Sequence, residues 1–259
     1  MIKQIQDIKP DELDGLRKGH YSRRIRSHYD AYSTSYDFCR FFLLCSDTQN
    51  FGIISLFNSS MIFAEFENAI LDDDCIEDMA LFVNMNKPMN VEMNSEYAQK
   101  LFKLCDEEYS LEERHQFEFV CKNNLPPLEV NELPSLDSVF AILKTSFPSL
   151  ENSYALWLTD TSHRVRRGYS QAFMLGNYTT ATIQYIVGDY ALIGHVATIP
   201  EMRGKHHARR LLYWIGERLN QDGITVCLFA RNHRKSYYEE IGFREIGMDY
   251  VLDRKTIKE

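Results

Sequence analysis

No two of the six cysteines, Cys39, Cys45, Cys75, Cys105, Cys121 and Cys227, form a C-x-x-C pair. Their scatter excludes the short-spaced ligand pattern of a zinc site and gives no disulfide framework. Reduced thiols in a cytoplasmic protein fit this usage. Also missing is any apolar run long enough to span a bilayer, and the N-terminal MIKQIQDIKPDELDG has no apolar core of a secretory signal. The expectation is a cytoplasmic chain with no membrane partner. Positive charge is in deficit, with 29 Lys+Arg against 37 Asp+Glu and a net charge of -8. Phosphate backbones are bound by clustered positive surface, so no nucleic-acid partner is expected.

What is present is enough apolar residue for a large core. A chain of 259 residues that is 44% hydrophobic exceeds the usual size of one domain, and two domains are expected. Residues 1–127 carry 13 Lys+Arg against 22 Asp+Glu, whereas 128–259 carry 16 against 15. The break in charge coincides with Asn123-Asn124-Leu125-Pro126-Pro127, where two prolines fix φ and exclude a helix interior or a central strand. The boundary is placed there, giving an N-terminal α/β domain (1–127) and a second domain (128–259).

In the first half, Phe41–Leu44, Phe51–Phe57 and Met61–Phe66 read as strands, the last two joined by the turn residues Asn58-Ser59-Ser60. Asp72-Asp73-Asp74 precedes Ile76, Met79, Ala80 and Val83 at helical spacing. Short-strand residues Asn90–Met93, a helix over Ser95–Cys105 and a closing strand around Phe117 and Phe119 complete a mixed α/β layer. The acidic run is read as a helix N-terminus in preference to a metal site, and Arg23-Arg24-Ile25-Arg26 as an exposed face or mobile loop.

The second half opens with alternating Leu128–Glu132, then Ser135 capping a helix with Leu136, Val139, Phe140, Leu143 and Phe147 on one face. A helix over Tyr154–Arg164 follows. Ser170–Leu175, Thr180–Val187 and Tyr190–Thr198 read as three antiparallel strands, because Gly176-Asn177 and Gly188-Asp189 are hairpin pairs. The third strand ends at Pro200. After a short loop, Ala208, Leu211, Leu212, Ile215 and Leu219 mark a one-sided helix. Unpaired N–H groups at such a helix start bind pyrophosphate where side chains are small, as at Gly204 and Ala208. Ile224–Ala230 reads as a buried strand, and Glu245–Leu252 as a final one.

The segment Arg203-Gly204-Lys205-His206-His207-Ala208 resembles the coenzyme A signature Q/R-x-x-G-x-G/A of the GNAT acetyltransferase superfamily, with Arg203 and Ala208 at its ends and His206 in the usual glycine place. Downstream, Asn232 through Tyr238, Gly242 and Phe243 resemble the family's Asn … Tyr-x-x-x-Gly-Phe element, with the Asn-to-Tyr spacing one residue short. The resemblance implies an α/β (α+β) fold with a mixed, mostly antiparallel sheet flanked by helices, in which the fourth and fifth strands splay apart.

It further implies acetyl-coenzyme A as donor and no metal. Its pantetheine arm would pair with main-chain groups of Val196, Ala197 and Thr198, and Asn232 would hydrogen-bond it. Pyrophosphate would lie on amides from Gly204 through Lys205, His206 and His207 to Ala208, with Arg203 and Lys205 adding charge. A neutral primary amine, on a small molecule or a peptide, would attack the thioester directly. Val196 N–H would stabilise the oxyanion and Tyr238 would protonate the leaving thiolate.

For the base, the strand position used by histone-acetylating members is Leu192 here. His195 is near, but strict alternation puts it on the opposite face. Asp160 and His163 on the second helix border the expected acceptor site, and a water relay is a further option. His206 is expected to crowd the pyrophosphate or change the loop. The alternative reading is a non-catalytic module that binds acyl-coenzyme A or a protein. The first half is open to a reading as a degenerate copy of the same fold, shaping the acceptor cleft or a homodimer contact.

Overall fold

The computed structural model describes residues 1–255; residues 256–259, the end of the expected second domain, lie outside the described residues. Two compact units are formed, Met1–Arg114 with Met248–Glu259, and His115–Gly247.

In chain order the elements of the first half are β1 (Ile2–Ile5), α1 (Pro10–Asp14), α2 (His20–Tyr32), β2 (Cys39–Cys45), β3 (Asn50–Phe57), β4 (Ser60–Glu65), α3 (Asp73–Asn86), β5 (Asn90–Glu92), α4 (Ser95–Cys105) and β6 (Tyr109–Phe119). Those of the second half are β7 (Val130–Asn131), α5 (Leu136–Leu143), α6 (Tyr154–Arg166), β8 (Gln171–Leu175), β9 (Thr179–Val187), β10 (Tyr190–Thr198), α7 (His207–Gln221), β11 (Thr225–Ala230), α8 (Lys235–Ile241) and β12 (Phe243–Arg254). Both halves carry three antiparallel strands, a helix, a strand parallel to the third, a helix and a closing strand.

In the first unit the strand order is β1-β2-β3-β4-β5-β12. One face is packed by α3 and α4, whose Ile76, Met79, Val83, Ala98 and Leu101 are buried against Phe63, Met61 and Leu252. Removing such side chains from water stabilises by roughly 1.5–3 kcal/mol each, which is why the helical spacing was legible. Asp72 caps α3, its carboxylate accepting the Cys75 N–H at 2.9 Å. The expectation of an exposed or mobile Arg23–Arg26 is corrected. These residues lie within α2, where Arg24 binds the buried Glu92 at 2.9 and 3.0 Å and Arg26 binds Asp30 at 2.9 Å. The buried acid on β5, far along the chain, orders Arg24, while Asp30 and Asp14 order Arg26.

The second unit runs β6-β11-β10-β9-β8-β7. Its main core lies between α7 and the sheet, where Leu211, Leu212, Ile215 and Leu219 meet Ile183, Ile193, Val226 and Phe117. A smaller cluster of Val139, Ile142, Leu143, Ala172 and Ala197 sits under α5.

The closing strands decide the division into units. Residues 115–118 of β6 pair with Cys227–Ala230 of β11, and Val251–Asp253 of β12 pair with Asn90–Glu92 of β5. The last part of each closing strand, from His115 in β6 and from Met248 in β12, thus belongs to the other half's unit. Asn123–Pro127 accordingly falls inside the second unit, where buried Glu217 accepts N–H groups of Lys122 at 2.8 Å and Asn124 at 2.9 Å. Among the described residues no helix is long and apolar enough to cross a membrane, and all six cysteines are free.

Candidate active site

β10 and β11 are parallel over three residue pairs, from Tyr190 with Thr225 to Leu192 with Cys227. Beyond them β10 continues to Thr198 beside β9, while β11 pairs with β6. Where the two part, the register between β10 and β9 shifts twice: Ile193 faces Ile183 and Val196 faces Ala181, so Gly194 and His195 together oppose Thr182. This is a β-bulge, which bends a strand and re-aims its side chains. Gly194 is required there, because a Cβ would come within 2.4 Å of the Gln184 side chain. The hydroxyl of Thr182 accepts the His195 N–H at 3.2 Å.

Bulging also changes which face His195 occupies. Ile193 and Val196 both contribute to the α7 core, whereas Leu192 and Ala197 pack in clusters on the other side. One extra residue inverts the alternation, so His195 shares the face of Leu192. The sequence expectation that it lies opposite Leu192 is corrected by this insertion. Phe147 packs edge-on against the His195 ring at 5.1 Å, and burial lowers the ring's pKa.

The loop that follows starts with Pro200–Met202 in a 3-10 turn and enters α7 at His207. Both Gly204 (φ 77°) and His206 (φ 60°) are left-handed. His206 therefore adopts the backbone conformation for which glycine is favoured, at a cost of roughly 1–2 kcal/mol, and its side chain is exposed. His207 packs against Tyr178 with the rings tilted by 48° and their centres 4.5 Å apart. Burial, then Arg210 and Lys205, lower its pKa. Ala208 is half-buried at the second helical position. Lys205 is exposed, its Nζ 3.3 Å from the Met202 sulfur. Arg203 is engaged by protein: its guanidinium donates to Thr198 O at 3.0 Å, Thr145 O at 3.1 Å and Ser146 Oγ at 3.1 Å. It ties the end of β10 to the segment after α5.

At the far end of β11, Asn232 is exposed in a 3-10 turn leading into α8. Tyr238, on α8, is half-buried among Phe117, Phe243 and Tyr237, with ring centres 5.8, 6.0 and 5.3 Å away. Burial and then Tyr237 raise its pKa, so the phenol keeps its proton at neutral pH. One turn earlier on α8, Lys235 pairs with Glu245, whose carboxylate also meets His115 Nδ1 at 2.5 Å.

On α6, Asp160 binds the buried Arg164 at 2.7 Å, and His163 accepts from Arg167 at 2.8 Å. Both acceptor-side candidates are thus engaged in pairs on their own helix. Among the described residues, no group of three or more His, Cys, Asp or Glu is placed to hold a metal. The bulge, Thr182 and Phe147 were missed by sequence reasoning; Gly194 was the one local signal for them.

No protein-family model matches the chain, and no curated protein matches it by sequence. Solved structures do match. A tandem GNAT protein from the clavulanic acid biosynthesis pathway aligns over 100% of this chain and 99% of its own, at TM-score 0.64 and 9% identity. A GCN5-related N-acetyltransferase from Sphaerobacter thermophilus aligns over 100% and 96%, at TM-score 0.63 and 14% identity. A GNAT-family acetyltransferase from Colwellia psychrerythraea aligns over 99% and 100%, at TM-score 0.58 and 10% identity. The chain has the fold of the GNAT acetyltransferases along its whole length.

Proposed function

We propose that the second unit binds acetyl-coenzyme A and transfers its acetyl group to a primary amine, on a small molecule or a peptide, by direct attack. The observation that carries this reading is the conjunction of a bulged β10 parting from β11 with a left-handed loop at Gly204 and His206 ahead of α7. Amides from Gly204 to Ala208 would receive the pyrophosphate, Lys205 and His207 lying along that run, and Val196–Thr198 would pair with the pantetheine arm, assisted by Asn232. Arg203 acts in this reading by fixing the edge of β10 rather than by meeting phosphate. The Val196 N–H would meet the oxyanion, and Tyr238, protonated at neutral pH, would supply the proton to sulfur as the C–S bond breaks.

The first unit, in the same reading, is a degenerate copy of the fold. Its repeated element order supports this, and so does the absence of any Arg203–Ala208 counterpart between β4 and α3. Leu192 at the position of the family's strand glutamate favours the second reading, a non-catalytic acyl-coenzyme A or protein-binding module.

Calorimetric titration with acetyl-coenzyme A and with free coenzyme A tests the donor site. Micromolar binding, about -8 kcal/mol, is expected for both. No heat with either would remove the donor site and the acetyl-transfer reading, and the protein-binding module would then lead.

A further inference from the structure

Resting on the acetyl-transfer reading, we propose that His195 is the general base that takes the proton from the acceptor amine. The β10 bulge sets Gly194 and His195 against Thr182 alone, and this turns the imidazole to the face of Leu192 and Ala197, away from the α7 core. Leu192 holds the place where a strand carboxylate would otherwise stand, so the bulge supplies a titratable group to the face that lost one. His195 lies next to Val196, the residue assigned to the oxyanion, so base and oxyanion donor are adjacent on one distorted strand.

Two contacts make the ring suitable. Thr182 holds the His195 main chain through its hydroxyl at 3.2 Å, which fixes the bulge. Phe147, from the segment after α5, packs edge-on against the imidazole at 5.1 Å and covers part of the half-buried ring. The neighbours from β9 and from that segment are thus a hydroxyl and a phenyl ring, and burial alone accounts for the lowered pKa. The base is therefore neutral at neutral pH and ready to accept a proton.

Atoms balance simply. His195 removes one proton from the ammonium form of the acceptor, and the free amine forms a C–N bond to the acetyl carbon. The C–S bond breaks, and the sulfur leaves with the proton given by Tyr238. The amide nitrogen's remaining excess proton and the proton on His195 pass to water, which also restores Tyr238.

The test follows thiol release from acetyl-coenzyme A between pH 5 and 9, with phenethylamine, spermidine and a lysine-containing peptide as probes. In the wild type, kcat is expected to rise with pH along a limb that ends below pH 7, because the base works only when deprotonated. His195→Gln is expected to lose that limb and about 100-fold or more in kcat at neutral pH, with unchanged affinity for acetyl-coenzyme A by calorimetry. Thr182→Val, which keeps the imidazole, should keep the limb while lowering kcat. Retention of the limb and rate by His195→Gln overturns the proposal. So does a wild type that binds acetyl-coenzyme A yet transfers to none of the probes. Failure of the wild type to bind the donor overturns the acetyl-transfer reading instead, which separates the two.

Discussion

In the first unit the edge of β4 that β5 leaves open is taken up by the chain itself, whereas the matching edge of β10 in the second unit is not. β4 and β5 pair from Ser60 with Asn90 to Ile62 with Glu92, three pairs, as β10 and β11 do. Past that point Arg17 N–H donates to Glu65 O at 2.8 Å, Glu67 N–H donates to Gly15 O at 3.0 Å, and Leu16 bridges Phe66. These bonds use the main-chain groups with which a pantetheine arm would pair in the other unit. Among the described residues, no main-chain segment makes such bonds to Val196–Thr198 on the β11 side. The loops beyond differ in the same sense. Before α3 stand Glu65, Glu67 and Asp72-Asp73-Asp74; before α7 stand Arg203, Gly204, Lys205 and His206.

Charge completes the contrast. Alongside the β4–β5 junction Glu92 is buried with Arg24, Arg114 and His20 around it, and Glu65 is buried against Arg17 at 3.0 Å. Although burial opposes it, Arg24 and then His20 and Arg114 hold the Glu92 carboxyl well below the usual range. One topology therefore yields a cleft filled by protein and locked by ion pairs, and another whose edge, among the described residues, meets no main-chain segment and only the Arg203 side chain at Thr198 O. A fold does not carry a site with it; the local residues open or close it.

Breaking the lock should have the largest effect. Glu92→Gln leaves the half-buried Arg24 and Arg114 without their carboxylate and is expected to destabilise the first unit by about 3 kcal/mol or more, measured by urea unfolding. A smaller loss would mean that the pair is dispensable to the filled cleft. Acid probes the same place more gently. Burial, reinforced by Arg24, lowers the His20 pKa to about 4 from an ordinary value of 6.5. The unfolded chain then takes up the proton first, so stability conferred by neutral His20 is complete above pH 6.5 and is lost as pH falls towards 4. The expected loss is about 3 kcal/mol, and His20→Gln should flatten that part of the stability curve.

Two changes act on the other side of the comparison. Ala208→Asp gives the start of α7 the acidic character of α3 without harming a helix N-terminus, and should weaken acetyl-coenzyme A binding about 100-fold. Unchanged calorimetric affinity would place the pyrophosphate elsewhere. The smallest effect belongs to His206→Gly. Relief of the left-handed strain is expected to stabilise the protein by about 1 kcal/mol, with no loss of donor affinity, and a destabilised variant would show that the histidine side chain supports the loop.

Local signals carried most of the secondary structure. Ser95–Cys105 and Tyr190–Thr198 were readable to the residue because capping, apolar spacing and the turns around them agree. By contrast, α1 and α2 were not seen. Arg23, Arg24 and Arg26 give α2 a charged appearance, and although Asp30 stands four residues after Arg26, Glu92 and Asp14, which partner Arg24 and Arg26, cannot be found from spacing. The candidate site divides in the same way. The Arg203–Ala208 loop and Tyr238 were legible as motifs, while the face of His195 was not, because a bulge is a property of two paired strands.

The sequence by itself determined most of the elements from β2 onward and their order, the small and basic residues ahead of α7 and the acidic ones ahead of α3, since each depends on neighbours a few positions apart. Only the tertiary structure decided that the last parts of β6 and β12 pair in the other half's unit, that Gly15–Arg17 fills the edge of β4, and that His195 turns to the face of Leu192. Each of these depends on main-chain hydrogen bonds between residues distant in the chain, where register rather than composition selects the partner.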